Sequence, residues 1–229
     1  GFEYFLLVVL SCAIATFGLL TNSAAVIIGA MLVAPLMSPI LGLSLASIAG
    51  EQHMFRHAAI ALVEGVALAV ILSTLLGWLA QVLPFDMLLE IPQEIIARTR
   101  PTPFDLGIAL AGGAAAAYAL AQPRLSAALP GVAIATALMP PVCTVGIGIS
   151  LESSSIVMGA GLLFFTNLAA ISFAGILVFA VLGFRPGYPE NTRNHIRRSL
   201  VISAALVLIT TIPLVFLTLR IVGQSHELQ

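Results

Sequence analysis

Residues 22 to 47 read NSAAVIIGAMLVAPLMSPILGLSLAS, from Asn22 to Ser47. The run is apolar enough to cross a bilayer, a task that takes roughly 20 apolar residues, yet Pro35 and Pro39 fall near its middle. A proline inside a helix removes a backbone donor and clashes with the preceding turn. Broken backbone at membrane depth is tolerated only where protein or a water-filled cavity surrounds it. The stretch is therefore expected to line something and not to act as a plain anchor, and it sets the fold class as an all-α transmembrane bundle.

The rest of the chain agrees with that class. It is 60% hydrophobic and 8% charged, with a mean hydropathy of +1.11, far outside the range of a soluble globular domain. The nine basic side chains are all Arg, and the net charge is −1, which leaves no basic surface for nucleic acid. Cys12 and Cys143 both lie in apolar runs and carry no redox information. No Met and no charged segment precede the first apolar run, so the chain is expected to begin partway through a longer product.

Working outward, about seven apolar segments emerge. The first runs from about Tyr4 to Thr21, and Asn22 and Ser23 make a short turn in which either can cap the next helix. After the broken segment and the polar EQHMFRH comes a third run from about Ala58 to Leu83. Residues 86 to 100 are too polar to span; Pro92 and the Glu94/Arg98 spacing suit a short interfacial helix. Thr102, Pro103 and Asp105 form a capping box that opens the fourth span, with a charged vestibule from Arg98, Arg100 and Asp105 as the alternative. That span holds AGGAAAA, from Ala111 to Ala117, a surface small enough for close helix contact within one subunit or between the subunits of a homo-oligomer. A fifth segment, from about Leu125 to Ser150, contains Pro140 and Pro141; a sixth covers about Ile156 to Phe184. The seventh, from about Ser199 to Val222, looks like an addition.

Placing Pro35 on Pro141 needs a shift of 141 − 35 = 106, which also lays Ser38 on Thr144, Gly42 on Gly148 and Gly77 on Gly183. The expectation is an inverted 3+3 repeat, each unit with a proline-broken middle helix. The boundaries are unit one 1–84, an interfacial linker 85–103, unit two 104–184 and an extra helix 197–222. Such a pair of broken helices is the best sequence pointer to a transporter's binding site. If all segments cross, Arg56, Arg124, Arg185, Arg193, Arg197 and Arg198 share one side and Arg98, Arg100 and Arg220 the other, so the N-terminus is expected in the cytoplasm. Re-entrant broken segments would give the same count, and the rule does not separate the two.

Candidate site residues follow from the break and from buried polar groups: Asn22, Ser23, Pro35, Ser38 and Pro39 in unit one; Pro140, Pro141, Cys143 and Thr144 in unit two. Glu64 is an acid inside an apolar run, either a proton or cation site or a group that reaches water at the interface. Asn167, in FFTNLAAISFAG, demands partners from a neighbouring helix or a solute. His53 and His57 could share a metal, but no spacing points to a third ligand, so no metal and no cofactor are expected. Motifs for hydrolysis or nucleotide binding are missing, which argues against an enzyme.

The blocks NSAAVIIGAMLVAPLMSPILGLSLAS, RTRPTPFDLGIALAGGAAAAYAL, LPGVAIATALMPPVCTVGIGIS and LLFFTNLAAISFAG resemble a prokaryotic membrane-protein family named only as domain of unknown function 389. The resemblance covers about Phe2 to Gly183. It implies a bacterial or archaeal cytoplasmic membrane and often a soluble region before the first span, but no substrate. The residues themselves point to a secondary transporter or permeation protein for a small solute or ion, with a midplane site between the broken helices. A passive channel and a non-transporting scaffold or sensor domain are the alternatives.

Overall fold

The computed structural model describes residues 1–82, 90–122, 124, 138–184 and 192–226. Regular structure among these is helical: α1 (Phe2–Leu20), α2 (Ala24–Val33), α3 (Met37–Ala49), α4 (Gln52–Val82), α5 (Gln93–Ile96), α6 (Pro103–Ala121), α7 (Met139–Ser150), α8 (Ser154–Val181) and α9 (Thr192–His226). Four of them, α1, α4, α6 and α8, are long and apolar enough to cross a membrane, and α2 with α3 makes a fifth span if the bent pair is counted as one. The first half of the expected fifth segment lies outside the described residues; its second half is α7.

Pro35 breaks the second segment as expected. The residue before a proline is driven out of the helical region, and Ala34 accordingly takes an extended ψ of 121° and ends α2. The chain restarts at Met37, and α2 and α3 meet at 48°. Pro39, Pro140 and Pro141 lie just after helix starts. Each sits in the first turn of its helix, Pro39 in α3 and the pair in α7, where backbone N–H groups have no intrahelical partner and a proline costs nothing. They sit where helices start; the residues that precede Leu138 lie outside the described ones.

Four helix ends share one turn. Asn22, Gly50, Glu152 and Gly183 have φ of 54°, 71°, 53° and 83°, and the next residue's N–H reaches back five positions, as in Ser23 to Gly18 (2.8 Å) and Ser153 to Gly148 (2.9 Å). This is the Schellman closure, which satisfies terminal carbonyls without spending loop length. Ser23 also caps α2 by accepting the N–H of Val26 at 3.5 Å. At the start of α6 the expected box forms: the Asp105 carboxylate accepts from both the backbone N–H and the hydroxyl of Thr102, each at 2.7 Å.

Helix α8 is the hub, with 61% of its apolar window buried against 22% for α4. It packs against α3, α6, α7 and α9, while α7 also packs on α1 and α4, and α3 on α4. Without a hydrophobic drive between helices in lipid, such packing relies on small residues that let backbones approach. The expected surface Ala111–Ala117 serves this: a Cβ at Gly113 would lie 2.7 Å from the Cα of Ile171 on α8. Elsewhere Gly146 of α7 rests on Ser73 of α4, and Gly175 of α8 on Ser44 of α3.

Candidate functional site

The expected site residues differ in burial. Ser38 is exposed, Pro35 half-buried and Pro39 buried, whereas Pro140, Pro141, Cys143 and Thr144 are all buried. Helix α7 is held by α1, α4 and α8, and α3 by α4, α8 and α9. Both therefore lean on α4 and α8, with Ser38 exposed and Thr144 fully buried.

Around α7 the interior is polar but filled. Cys143 and Cys12 bring their Sγ atoms to 3.6 Å. The Cys12 thiol donates to the carbonyl of Ala69 at 3.2 Å, the Ser73 hydroxyl to the same carbonyl at 2.7 Å, and the Thr144 hydroxyl to Pro140 at 2.8 Å. The Ser73 and Thr144 protons thus have backbone acceptors, and the buried Thr16 hydroxyl meets the Cys12 sulfur at 3.9 Å. On α8, Asn167 is buried with only 4% exposure, as the sequence required. Beside it Thr166, also buried, has an Oγ1 with no hydrogen-bond partner among the described residues.

Two other candidates have plainer roles. Glu64 is exposed on the outer face of α4, next to Gly65, which rests on the Tyr4 ring; Tyr4 donates to the carbonyl of Ala61 at 2.8 Å. Asn22 occupies the αL turn, and its Oδ1 accepts the N–H of Glu94 at 3.0 Å, tying the linker to the α1–α2 turn. The predicted Glu94/Arg98 pair closes at 2.6 Å. The His53 and His57 rings meet at 4.2 Å between centroids, tilted by 42°, and no cluster of three or more metal-ligating groups exists among the described residues.

A cavity that the sequence reading missed lies between α3, α8 and α9. It holds about 460 Å³, within the range of small-molecule sites. Its walls are apolar, with Leu43, Phe165, Leu168, Ile176, Ile202 and Leu206, interrupted by serines. Three of the five serine protons are already given away: Ser44 donates to the carbonyls of Ile40 and Ser172, Ser199 to that of Ser47 at 2.9 Å, and Ser203 to that of Ser199 at 2.8 Å. A second cavity of about 340 Å³ shares Ser47, Phe55, Ser199 and Ile202 with the first and adds Glu51, Gln52 and Arg198. No local spacing could have announced this groove, because its walls come from helices far apart in the chain.

The sequence profile of a domain of unknown function, DUF389, matches residues 31–173. The chain belongs to this family. The match takes in the Pro35 break and most of α8 but ends before α9. This DUF389 chain is 29% identical, over 184 residues, to an uncharacterized protein of Methanocaldococcus jannaschii, which covers 80% of the chain and 55% of that archaeal protein. The chain thus spans about half the length of the curated relative it matches. No solved structure matches. Family and fold together make it a helical membrane protein.

Proposed function

We propose that the chain is the membrane part of a secondary transporter or permeation protein for a small solute or ion, made of two inverted three-span units with α9 added. The observation that carries this is a pair of exchanged contacts. Gly146 on Ser73 joins α7 to α4, and Gly175 on Ser44 joins α8 to α3. If positions 102 apart are equivalent (146 − 44 = 102; 175 − 73 = 102), these are one contact with serine and glycine swapped. Helix starts support the same register, with Met37 answering Met139 and Gln52 answering Ser154. So does sequence: Leu36-Met37-Ser38-Pro39-Ile40 answers Leu138-Met139-Pro140-Pro141-Val142. The shift of 106 pairs Pro35 with Pro141 and exchanges neither contact.

Two units that differ in shape and trade shapes give alternating access. The bend at Pro35 supplies a hinge for unit one, and for a solute to reach Thr144 and Cys143 helix α7 must part from α1 and α4. A staple across α3 and α8 tests the motion. The protein carrying Ser44→Cys and Gly175→Cys, with Cys12 and Cys143 replaced by alanine, places the new sulfurs on neighbouring backbones within reach of a disulfide. In liposomes, proton, radiolabelled sodium and radiolabelled chloride entry are compared before and after oxidation. One of the three should enter faster than in protein-free vesicles, stop on oxidation and resume with a reductant. Flux unaffected by the staple would favour a channel.

Charge bias puts the N-terminus in the cytoplasm of a prokaryotic cell membrane. A cysteine at Glu3 should then resist a membrane-impermeant thiol reagent added to intact cells, and labelling from outside would reverse the assignment. A second reading, a scaffold for the region outside this chain, is favoured by the dry packing of Pro140 to Thr144. It predicts no flux in any arm of the liposome experiment.

A further inference from the structure

We infer that the groove between α3, α8 and α9 is a binding site for one anionic phospholipid of the surrounding leaflet. The inference does not depend on transport. Along α9 the groove runs from Ser199 to Thr210, and along α8 from Phe165 to Ile176; at 1.5 Å per residue each wall is roughly 16 Å long. That is about half of a hydrocarbon core roughly 30 Å thick, the length of a single lipid tail in one leaflet. The tail would meet a mostly apolar surface, because Leu43, Phe165, Leu168, Ile176, Ile202 and Leu206 line it and the hydroxyls of Ser44, Ser199 and Ser203 donate to the groove's own backbone.

The open end supplies the head-group chemistry. Arg198 lines the mouth with Glu51 and Gln52, and Arg197 and Arg56 are exposed nearby on α9 and α4. Among the described residues only Glu94 and Arg98 form an ion pair, so Arg198 keeps its donors for a ligand. Three arginines against one glutamate give this end a net positive charge, and a phosphate head is the group it fits. A neutral lipid would fill the groove without using Arg198; a free phosphate would leave the apolar length empty. Only an amphiphile with an anionic head satisfies both ends.

The test uses the full chain in nanodiscs of phosphatidylcholine mixed with phosphatidylglycerol, released into a mild detergent and weighed by native mass spectrometry. One retained lipid is expected, with phosphatidylglycerol favoured about fivefold, the effect of one arginine near the surface. Arg198→Gln should erase the preference and keep a lipid, and Ser203→Phe, which fills the groove, should lose it. If Ser203→Phe does not fold by circular dichroism, Leu206→Trp takes its place at the groove wall. Equal retention of the two lipids by the wild type, or an undiminished lipid in a folded filling variant, overturns the proposal. So does a doubled mass without lipid, which would give the groove to a second copy of the chain.

Discussion

Gly146→Val is expected to lower stability by about 3 kcal/mol, a large part of the roughly 5–15 kcal/mol that keeps a domain folded. A Cβ at position 146 overlaps the Ser73 hydroxyl and lies 2.7 Å from the Val70 carbonyl oxygen and 2.9 Å from the Ser73 Cβ. The hydroxyl can rotate away. The carbonyl is backbone and moves only if α4 moves, and α4 is held by α1, α3 and α7 together. Displacing it also disturbs the bond by which Ser73 donates to Ala69. The measurement is the unfolding midpoint in a titration of mixed detergent with dodecyl sulfate, and a midpoint equal to wild type would sink the reading.

The partner contact should answer differently, and the contrast is informative. At Gly175 the nearest atoms are the Ser44 Oγ at 2.8 Å and Cβ at 3.0 Å, both side chain. Gly175→Ala should therefore cost about 1 kcal/mol, mostly through the Ser44 bonds to Ile40 and Ser172. Adding Ser44→Ala should recover much of that loss in a double-mutant cycle. Ser73→Ala should recover little of a Gly146→Ala loss, because the Val70 carbonyl remains. The two contacts pair the same residue types and differ in what backs them.

What the sequence made legible was what is local. Thr102 and Asp105 are three apart, Glu94 and Arg98 four apart, and the small residues from Ala111 to Ala117 are contiguous; each reading needs one helical turn and no knowledge of neighbours. The Pro35 break also belongs to this class. The first-turn places of Pro39, Pro140 and Pro141 were not legible, because first-turn and interior prolines look alike until the helix boundary is known. Glu64 stayed open between two readings for a related reason: an apolar run says that a helix is in lipid, not which face meets the protein, and the structure exposes it.

The shift of 106 and the proposed shift of 102 differ by about one helical turn, so each lays small residues on small residues of nearly the same face. In a chain this rich in Ala, Gly and Leu the two alignments score alike, and the choice of 106 rested on matching the first proline of one segment to the second of the other. The groove was beyond reach altogether, since α9 and α3 lie far apart in the chain.

Gly159→Val is expected to detach the linker that carries α5. A Cβ on this α8 glycine would overlap the Thr99 carbonyl oxygen, with the Thr99 carbonyl carbon at 2.8 Å and Cα at 2.9 Å. All three are backbone atoms, so the linker must lift. Little else retains it: α5 has four residues, too few to persist alone. Its anchors are the buried Ile95 and the Asn22 bond to the Glu94 N–H, and both depend on the linker lying flat. Trypsin reads the outcome cleanly, because the bond after Arg98 is cleavable while the one after Arg100 precedes Pro101 and resists. Cleavage after Arg98 should speed up about thirtyfold in the variant, the equivalent of about 2 kcal/mol of lost local protection. The helices, buried in detergent or lipid, should stay intact. An unchanged cleavage rate would mean that Thr99 yields without releasing α5, and that Asn22 and Ile95 hold the linker on their own.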